Sequence, residues 1–302
     1  MANRYVWGLV ILLIGAMLAV PGVVGFSDAS RIPAAHGNYS QATAVRASRN
    51  LVLRSASALV EDQLTGECLI QKQAEAIMPI ASITKLMTAM VVLDAKMDLE
   101  ESISIASEDV DTLRHSHSRL PVNTRFTRGE ALLLALMASE NRAAHALGRT
   151  YPGGLGAFVA AMNAKARSLG LIETHFIDPT GIQCGNVSSA KDLARMVDAA
   201  YQYRLIREYT TCKETTIRLG HRTRQFHNTN HLIGNSRWQI GLSKTGFIDE
   251  AGRCLVMQSQ VAKRPVLIVL LDSQGKLTRY GDANRIKQWM ERSQSLRKKH
   301  RG

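Results

Sequence analysis

The sequence contains few aromatic residues, and this narrows the partners that it can have. Aromatic side chains make up 5% of the 302 residues. No basic segment interleaves them with cations, which is the pattern typical of nucleic-acid binding. The formal net charge is nonetheless +13. Nucleic acid is therefore disfavoured, whereas peripheral contact with an anionic membrane or a carboxylate-rich polymer, or simple solubility, stays open.

Cysteines are also few, and their spacing indicates no metal centre. The four cysteines form no C-x-x-C pair, and no group of His and Cys has metal-ligand spacing. The sequence therefore predicts neither a metal nor another cofactor. Cys68 and Cys254 lie in apolar, strand-like runs, where a buried free thiol is expected. Cys184 and Cys212 lie in polar connections and are the better candidates for a disulfide, if one forms.

One long hydrophobic run stands at the N-terminus. Residues 6–20 are almost wholly apolar after a short positive start, and small residues follow at Gly25 and Ala29. This pattern predicts a secretory signal peptide over residues 1–29. An uncleaved anchor is the alternative, because residues 6–24 approach the ~20 residues that span a bilayer. Under both interpretations the rest of the chain lies outside the cytoplasm.

The remaining chain has strand patterns near both ends and helical patterns between them. Residues 30–50 are predicted as a linker, residues 51–296 as the folded domain, and residues 297–302 as a solvated basic tail. A mainly helical insertion at about 95–235 predicts one sheet built from distant parts of the chain, with a cleft beside a helical subdomain. The predicted strands are 51–60, 67–71, 239–247, 252–260 and 265–272. One predicted helix begins at Ser82, and a second begins at the capping box of Thr127 and Glu130. Three more are predicted over residues 155–169, 190–201 and 282–296.

Ser82 and Lys85 have the spacing of a serine nucleophile and its base. Three residues apart on a helix, they share a face with Cβ atoms about 5–6 Å apart, so the amine reaches the hydroxyl. The lysine pKa, ordinarily ~10.4, must fall for this task. Repulsion from a second cation such as Lys244 would lower it, and burial would add to this. Taken alone, the pair is better explained as a helix cap and a solvated lysine, since S-x-x-K recurs elsewhere in the chain.

Ser139, Glu140 and Asn141 end an apolar helical segment, where a loop would present short polar side chains. Ser139 could relay a proton, and the amide of Asn141 could hold a substrate carbonyl. Ordinary capping of a helix end is the alternative.

Lys244, Thr245 and Gly246 lie in a strand-like segment. A cation beside a hydroxyl suits a substrate carboxylate, and a glycine lets the backbone of a ligand approach closely. An edge strand protected by a lysine is the alternative.

The order of these three strings, each in a matching context, resembles that of the low-molecular-mass penicillin-binding proteins. More narrowly, the chain resembles the serine-type D-alanyl-D-alanine endopeptidases and carboxypeptidases that trim bacterial peptidoglycan. Its middle motif has Glu140 where the S-D-N form has aspartate. The resemblance covers about residues 50–292, and further similar strings span residues 79–89, 176–181, 228–231 and 244–252.

The resemblance implies an α/β (α+β) fold of the β-lactamase-like transpeptidase type, with an antiparallel five-stranded sheet flanked by helices and an all-helical subdomain. It implies that Ser82 is the acyl-forming nucleophile, Lys85 its base and Ser139 the proton relay. It further implies that Asn141 orients the substrate amide. The implied carboxylate site is Lys244 and Thr245, with Gly246 beside them, and the implied oxyanion hole is the N–H groups of Ser82 and Phe247.

The same resemblance implies a periplasmic enzyme of cell-wall biogenesis and cell shape, with peptidoglycan peptide stems as substrates and β-lactams as covalent inhibitors. An endopeptidase that cuts D-alanyl–diaminopimelate cross-links is expected, because the sequence ends one helix after its last predicted strand. Carboxypeptidases of the group usually carry a further β-rich domain. A D-alanyl-D-alanine carboxypeptidase is the main alternative. A β-lactamase is disfavoured because no E-x-x-x-N string lies between the second and third motifs. A catalytically silent wall-binding protein is disfavoured because all three motifs are intact.

Overall fold

The structure, a computed structural model, describes residues 51–220 and 222–299, with the side chains of all but the last three of these. The predicted signal peptide (1–29) and linker (30–50) lie outside the described residues, as does most of the basic tail. Within the described part of the chain, no helix has the length and apolar character needed to cross a membrane.

A five-stranded antiparallel sheet unites the two ends of the described chain, as predicted. Its strand order is β2-β1-β11-β10-β9. The first strand pairs directly with the last, with Ser57 opposite Leu271 and Val60 opposite Ile268. The strands are β1 (Ser55–Asp62), β2 (Cys68–Lys72), β9 (Gln239–Ile248), β10 (Gly252–Val261) and β11 (Arg264–Ser273).

Strand β11 shows why this sheet forms. Its apolar run is buried on both faces, and alternate side chains enter different cores. Leu267, Val269 and Leu271 belong to the larger core, on the side of the sheet that faces most of the helices. Val266, Ile268 and Leu270 belong to the smaller core, which the C-terminal helix covers.

Among the described residues, six α-helices lie between β2 and β9, and a seventh follows β11. They are α1 (Lys85–Asp94), α2 (Arg128–Met137), α3 (Asn141–Arg149), α4 (Gly154–Ser168), α5 (Ala190–Tyr201), α6 (Arg204–Thr211) and α7 (Thr278–Lys299). The predicted capping box is confirmed, since Thr127 and Glu130 bond each other's backbone N–H at the start of α2. The described part of the chain also contains three two-stranded sheets: β3 (Met78–Pro79) with β6 (Val187–Ser188), β4 (Ser102–Ser104) with β5 (Arg125–Thr127), and β7 (Glu214–Leu219) with β8 (Arg222–His227).

Three details of the sequence interpretation need correction. The β7–β8 hairpin interrupts the segment predicted as mainly helical. Its alternation is weak, because Ile217 and Phe226 are the only side chains of these strands that are buried. The helix predicted from Ser82 begins instead with a 3-10 turn over Ala81–Thr84. All four cysteines are free, so the candidate disulfide does not form.

Candidate active site

Ser82 lies in the 3-10 turn that precedes α1, beside strand β9. The residue before it, Ala81, has φ +47°, in the left-handed region that costs energy for any side chain. Two glycines hold this turn from either side. A Cβ on Gly181 would lie 1.9 Å from the Ala81 carbonyl oxygen, and one on Gly246 would lie 3.2 Å from the Ser82 nitrogen. The strained turn is therefore fixed by close backbone packing that only glycine permits.

The Lys85 amine contacts three polar groups of the site. Its Nζ lies 2.8 Å from Ser82 Oγ, 2.7 Å from Asn141 Oδ1 and 2.7 Å from the Thr180 carbonyl oxygen. The side chain is fully buried. The first motif thus touches the second through Asn141, although 56 residues separate the two side chains along the chain.

Burial lowers the pKa of Lys85 from its usual 10.5 to about 7, against the opposing effect of the carboxylates of Asp178 and Glu140. A hydroxyl in contact with such an amine can exchange a proton with it near neutral pH. The sequence interpretation put repulsion from Lys244 first among the causes, but burial is what lowers the pKa of Lys85. Repulsion is prominent at Lys244, whose own pKa is held well below its usual value by burial, by Lys85 and by Arg279.

Asp178 and its neighbours fix the carbonyl that Lys85 contacts. Asp178 Oδ1 accepts hydrogen bonds from the N–H of Thr180 at 2.6 Å and of Gly181 at 2.8 Å. Asn186 donates to the Asp178 carbonyl and to Thr84 Oγ1, which ties this turn to the turn that carries Ser82. Asp178 therefore shapes a turn and also contributes negative charge near the amine.

The second and third motifs also contact each other. Lys244 is 1% exposed, and its Nζ donates to Ser139 Oγ at 2.9 Å. Ser139 itself has φ +59°, which aims the loop between α2 and α3 at strand β9. Thr245 Oγ1 donates to Thr229 Oγ1 at 2.7 Å. Phe247, one residue beyond Gly246, is 49% exposed beneath the guanidinium of Arg253.

A polar loop that the sequence interpretation missed supports the second motif. Asn141 Nδ2 donates to Ser116 Oγ at 2.9 Å. Glu140, 8% exposed, accepts hydrogen bonds from Ser118 Oγ at 2.8 Å and from the Arg119 N–H at 3.1 Å. Glu140 is the N-cap residue of α3, yet its side chain makes no capping bond. Glu140, which stands where the S-D-N form has aspartate, thus holds this loop in place by two hydrogen bonds. Nothing in the local sequence of the loop indicates this contact.

Arg279 on α7 was also missed. It is 7% exposed, and it donates to the Gly246 carbonyl and to Tyr280 Oη, each at 3.2 Å. Tyr280 Oη in turn donates to the Thr229 carbonyl at 3.0 Å. The C-terminal helix therefore adds positive charge behind the segment that holds Lys244 and Thr245. Among the described residues, no group of three or more His, Cys, Asp or Glu could hold a metal ion.

Comparisons with known proteins agree with this arrangement. The family Peptidase S11, described as D-alanyl-D-alanine carboxypeptidase, matches residues 42–275. A D-alanyl-D-alanine endopeptidase of Pseudomonas aeruginosa is 50% identical over 80% of this chain and 79% of its own. A D-alanyl-D-alanine endopeptidase of Escherichia coli is 44% identical over 79% and 78%. The crystal structure of the Streptomyces K15 DD-transpeptidase aligns with a TM-score of 0.73 at 27% identity, over 79% of this chain and 97% of that one.

The family match spans most of the chain, and the relatives and the solved structure agree with it in sequence and in fold. The resemblance drawn from the three motifs is therefore confirmed. The chain belongs to the peptidase S11 family of serine-type D-alanyl-D-alanine peptidases.

Proposed function

We propose that this protein is a peptidoglycan D,D-endopeptidase that hydrolyses D-alanyl–diaminopimelate cross-links through a serine acyl-enzyme, outside the cytoplasm. The observation that carries the proposal is the 2.8 Å contact between Ser82 Oγ and the Nζ of Lys85. The amine is fully buried, and its pKa is lowered to about 7. A serine needs an adjacent base to become a nucleophile, and a base works best with a pKa near the working pH.

In the acylation step, Ser82 Oγ attacks the carbonyl carbon of the D-alanyl residue, and its proton passes to neutral Lys85. The negative charge that develops on the carbonyl oxygen faces the N–H groups of Ser82 and Phe247. The bond from carbon to the leaving nitrogen then breaks, and that nitrogen receives, through Ser139, the proton that Lys85 took from Ser82, so Lys85 is neutral again. The contact between Ser139 and Lys244 supports this relay, because it holds the hydroxyl of Ser139 in place beside the dock.

In the deacylation step, water attacks the same carbonyl carbon and gives a proton to neutral Lys85. The ester bond breaks, Ser82 recovers its proton, and the D-alanyl carboxylate is released. The bound stem is oriented by Asn141, whose amide is held between Lys85 and Ser116. Slow deacylation after attack on a β-lactam ring would leave the covalent inhibitor in place.

The dock for the leaving group is formed by Lys244 and Thr245, with Gly246 leaving room for the ligand. Burial and two neighbouring cations make Lys244 costly to charge in the empty site. A substrate carboxylate that binds beside Lys244 stabilises its charged form and offsets that cost. A substrate without a carboxylate cannot do this. The dock therefore favours a leaving group with a free carboxylate next to the scissile bond.

A carboxypeptidase would use the same residues, and the family description names that activity. Endopeptidase is the better-supported function because the relatives at 50% and 44% identity are both named D-alanyl-D-alanine endopeptidases. The two activities differ in what extends beyond the carboxylate: a terminal D-alanine ends there, whereas a cross-link continues into a second stem peptide.

Purified cross-linked muropeptide dimers and monomeric pentapeptide muropeptides test the assignment. We expect release of monomers from the dimer, with slower or no loss of the terminal D-alanine from the pentapeptide. Ser82→Ala should abolish both this release and covalent labelling by a fluorescent penicillin. Preferred cleavage of the pentapeptide would establish the carboxypeptidase. Steady turnover of a chromogenic cephalosporin would indicate a β-lactamase. No reaction with any of these substrates would indicate a silent wall-binding protein.

A further inference from the structure

The β7–β8 hairpin and the residue before it form a strongly cationic surface. This basic hairpin, residues 213–227, carries four exposed cations among its described residues: Lys213, Arg218, Arg222 and Arg224. None of the four forms an ion pair with a described carboxylate. The one described acid of the hairpin is Glu214, which accepts a hydrogen bond from Gln225 and contacts His227. The cations are therefore available to an outside anion.

The end of the basic hairpin is attached to the proposed carboxylate dock. Thr229, two residues after β8 ends, accepts the hydrogen bond from Thr245 Oγ1. Asn228 Nδ2 donates to the carbonyls of Thr210 and Cys212, which ties the exit of the hairpin to its entry. Buried Ile217 and Phe226 anchor the ribbon in the larger core. These contacts fix the direction in which β8 runs away from the dock.

The basic hairpin is also tied to the loop that supports the second motif. Arg119 Nη1 donates to the Gln225 carbonyl at 3.0 Å, and the N–H of the same arginine donates to Glu140. Arg119 is itself exposed. The cationic surface thus continues from the hairpin onto the rim next to Asn141.

The dimensions of β8 match those of a short peptide. At about 3.3 Å per residue, Arg224 lies roughly 10 Å and Arg222 roughly 17 Å along the strand from His227, the last residue of β8 and two residues before Thr229, which contacts Thr245 of the dock. A peptide of three to five residues in extended form covers about that span. The leaving group of a D-alanyl–diaminopimelate cross-link is such a peptide, and it is acidic, because it ends in a free C-terminal carboxylate in addition to the diaminopimelate carboxylate at the dock.

We propose that the basic hairpin binds the acidic second stem peptide of a cross-link, with Arg222 and Arg224 as the cations that lie beyond the carboxylate dock. This inference rests on the proposed endopeptidase function, and it names the surface that distinguishes a cross-linked substrate from a single stem. A single pentapeptide stem ends at the dock and does not reach these arginines.

The double variant Arg222→Gln/Arg224→Gln tests the proposal, with Arg167→Gln/Arg292→Gln as the matched control. The control removes the same charge from exposed arginines on α4 and α7. We expect the KM for a soluble muropeptide dimer to rise about threefold to tenfold in the hairpin variant, the range for two exposed ion pairs, with kcat unchanged. Acylation by penicillin, which has no second stem, should be unchanged in both variants. The KM difference should also shrink in high salt.

A dimer whose free carboxyl groups on the second stem are amidated, except the one at the dock, supplies the complementary change. With this substrate the wild type and the hairpin variant should have the same KM. Equal KM values on the unmodified dimer would overturn the proposal, as would a KM difference that survives amidation. So would a variant that retains wild-type kinetics but loses binding to vesicles of anionic lipid, since the hairpin would then serve a membrane surface. If the wild type leaves the dimer uncut, the proposed endopeptidase function has failed as well.

Discussion

The protonation state of Lys85 gives the sharpest quantitative prediction. With a pKa of about 7, close to half of the Lys85 amines are neutral at pH 7. A lysine of ordinary pKa would be neutral in roughly one molecule in 3,000 at that pH. Since only the neutral amine can take the proton of Ser82, the second-order rate constant for acylation by penicillin should rise tenfold per pH unit in acid. It should level off above about pH 8.

Glu140→Gln perturbs this titration in a known direction. The carboxylate of Glu140 raises the pKa of Lys85, although less than that of Asp178 does. Its removal should therefore move the midpoint of the pH profile toward acid, by at most about one unit. The side-chain oxygen of a glutamine can still accept a hydrogen bond from the 116–119 loop. The loop should therefore keep its position, and the plateau rate should change little. At pH 5.5, where more of its Lys85 is neutral, the variant should acylate faster than the wild type.

The assay is a time course of labelling by a fluorescent penicillin between pH 5.5 and 9.5. Glu75→Gln is the matched control, because it removes the same charge from a carboxylate that is 72% exposed on the surface. The control should keep the wild-type midpoint. A wild-type midpoint above pH 9 would refute the argument from burial, and an unmoved midpoint in Glu140→Gln would refute the electrostatic role of that carboxylate.

Three further changes have expected outcomes. Gly181→Ala should slow penicillin acylation at least about 100-fold, because a Cβ there would lie 1.9 Å from the Ala81 carbonyl oxygen and displace the turn that carries Ser82, the proposed nucleophile. A rate within threefold of wild type would contradict this. Ser116→Ala should slow acylation about tenfold by freeing Asn141, without changing the pH midpoint. Asp282→Asn should lower the free energy of unfolding by about 1–3 kcal/mol at pH 7, as measured with urea. Burial alone would raise the pKa of Asp282, but its hydrogen bonds lower it. The loss of unfolding free energy in the variant should therefore have its full size above pH 4 and shrink as the pH falls through the folded pKa. A loss that grows in that range would contradict the reasoning.

The parts of the fold that the sequence predicted are those in which burial is complete and regular. Strand β11 was predicted because its apolar run feeds two cores at once, and the start of α2 because Thr127 and Glu130 cap it locally. The β7–β8 hairpin was missed because its strands are mostly exposed. A ribbon held by two buried side chains leaves no hydrophobic period for a sequence to display.

The site shows the same division between local and distant information. The three motifs could be found because each is short and contiguous, and their order along the chain is distinctive. The residues that position them act across long separations: Thr180 lies 95 residues from Lys85, and Ser116 lies 25 residues from Asn141. Such contacts depend on backbone carbonyls and common hydroxyls, which carry no signal in a single sequence. Only the fold identifies them.

The surroundings of Lys85 also explain how a buried amine can gain and lose a proton repeatedly. When charged, its three N–H groups match its three acceptors, Ser82 Oγ, Asn141 Oδ1 and the Thr180 carbonyl. When neutral, it has two N–H groups and one lone pair. The amide oxygen of Asn141 and the Thr180 carbonyl oxygen can only accept, so they take the two N–H groups, and the lone pair is left for the hydroxyl of Ser82. Neither state leaves a buried polar atom unpaired, which would otherwise cost about 1–3 kcal/mol. In the proposed mechanism, the same two acceptors that hold the amine therefore also aim its lone pair at the nucleophile.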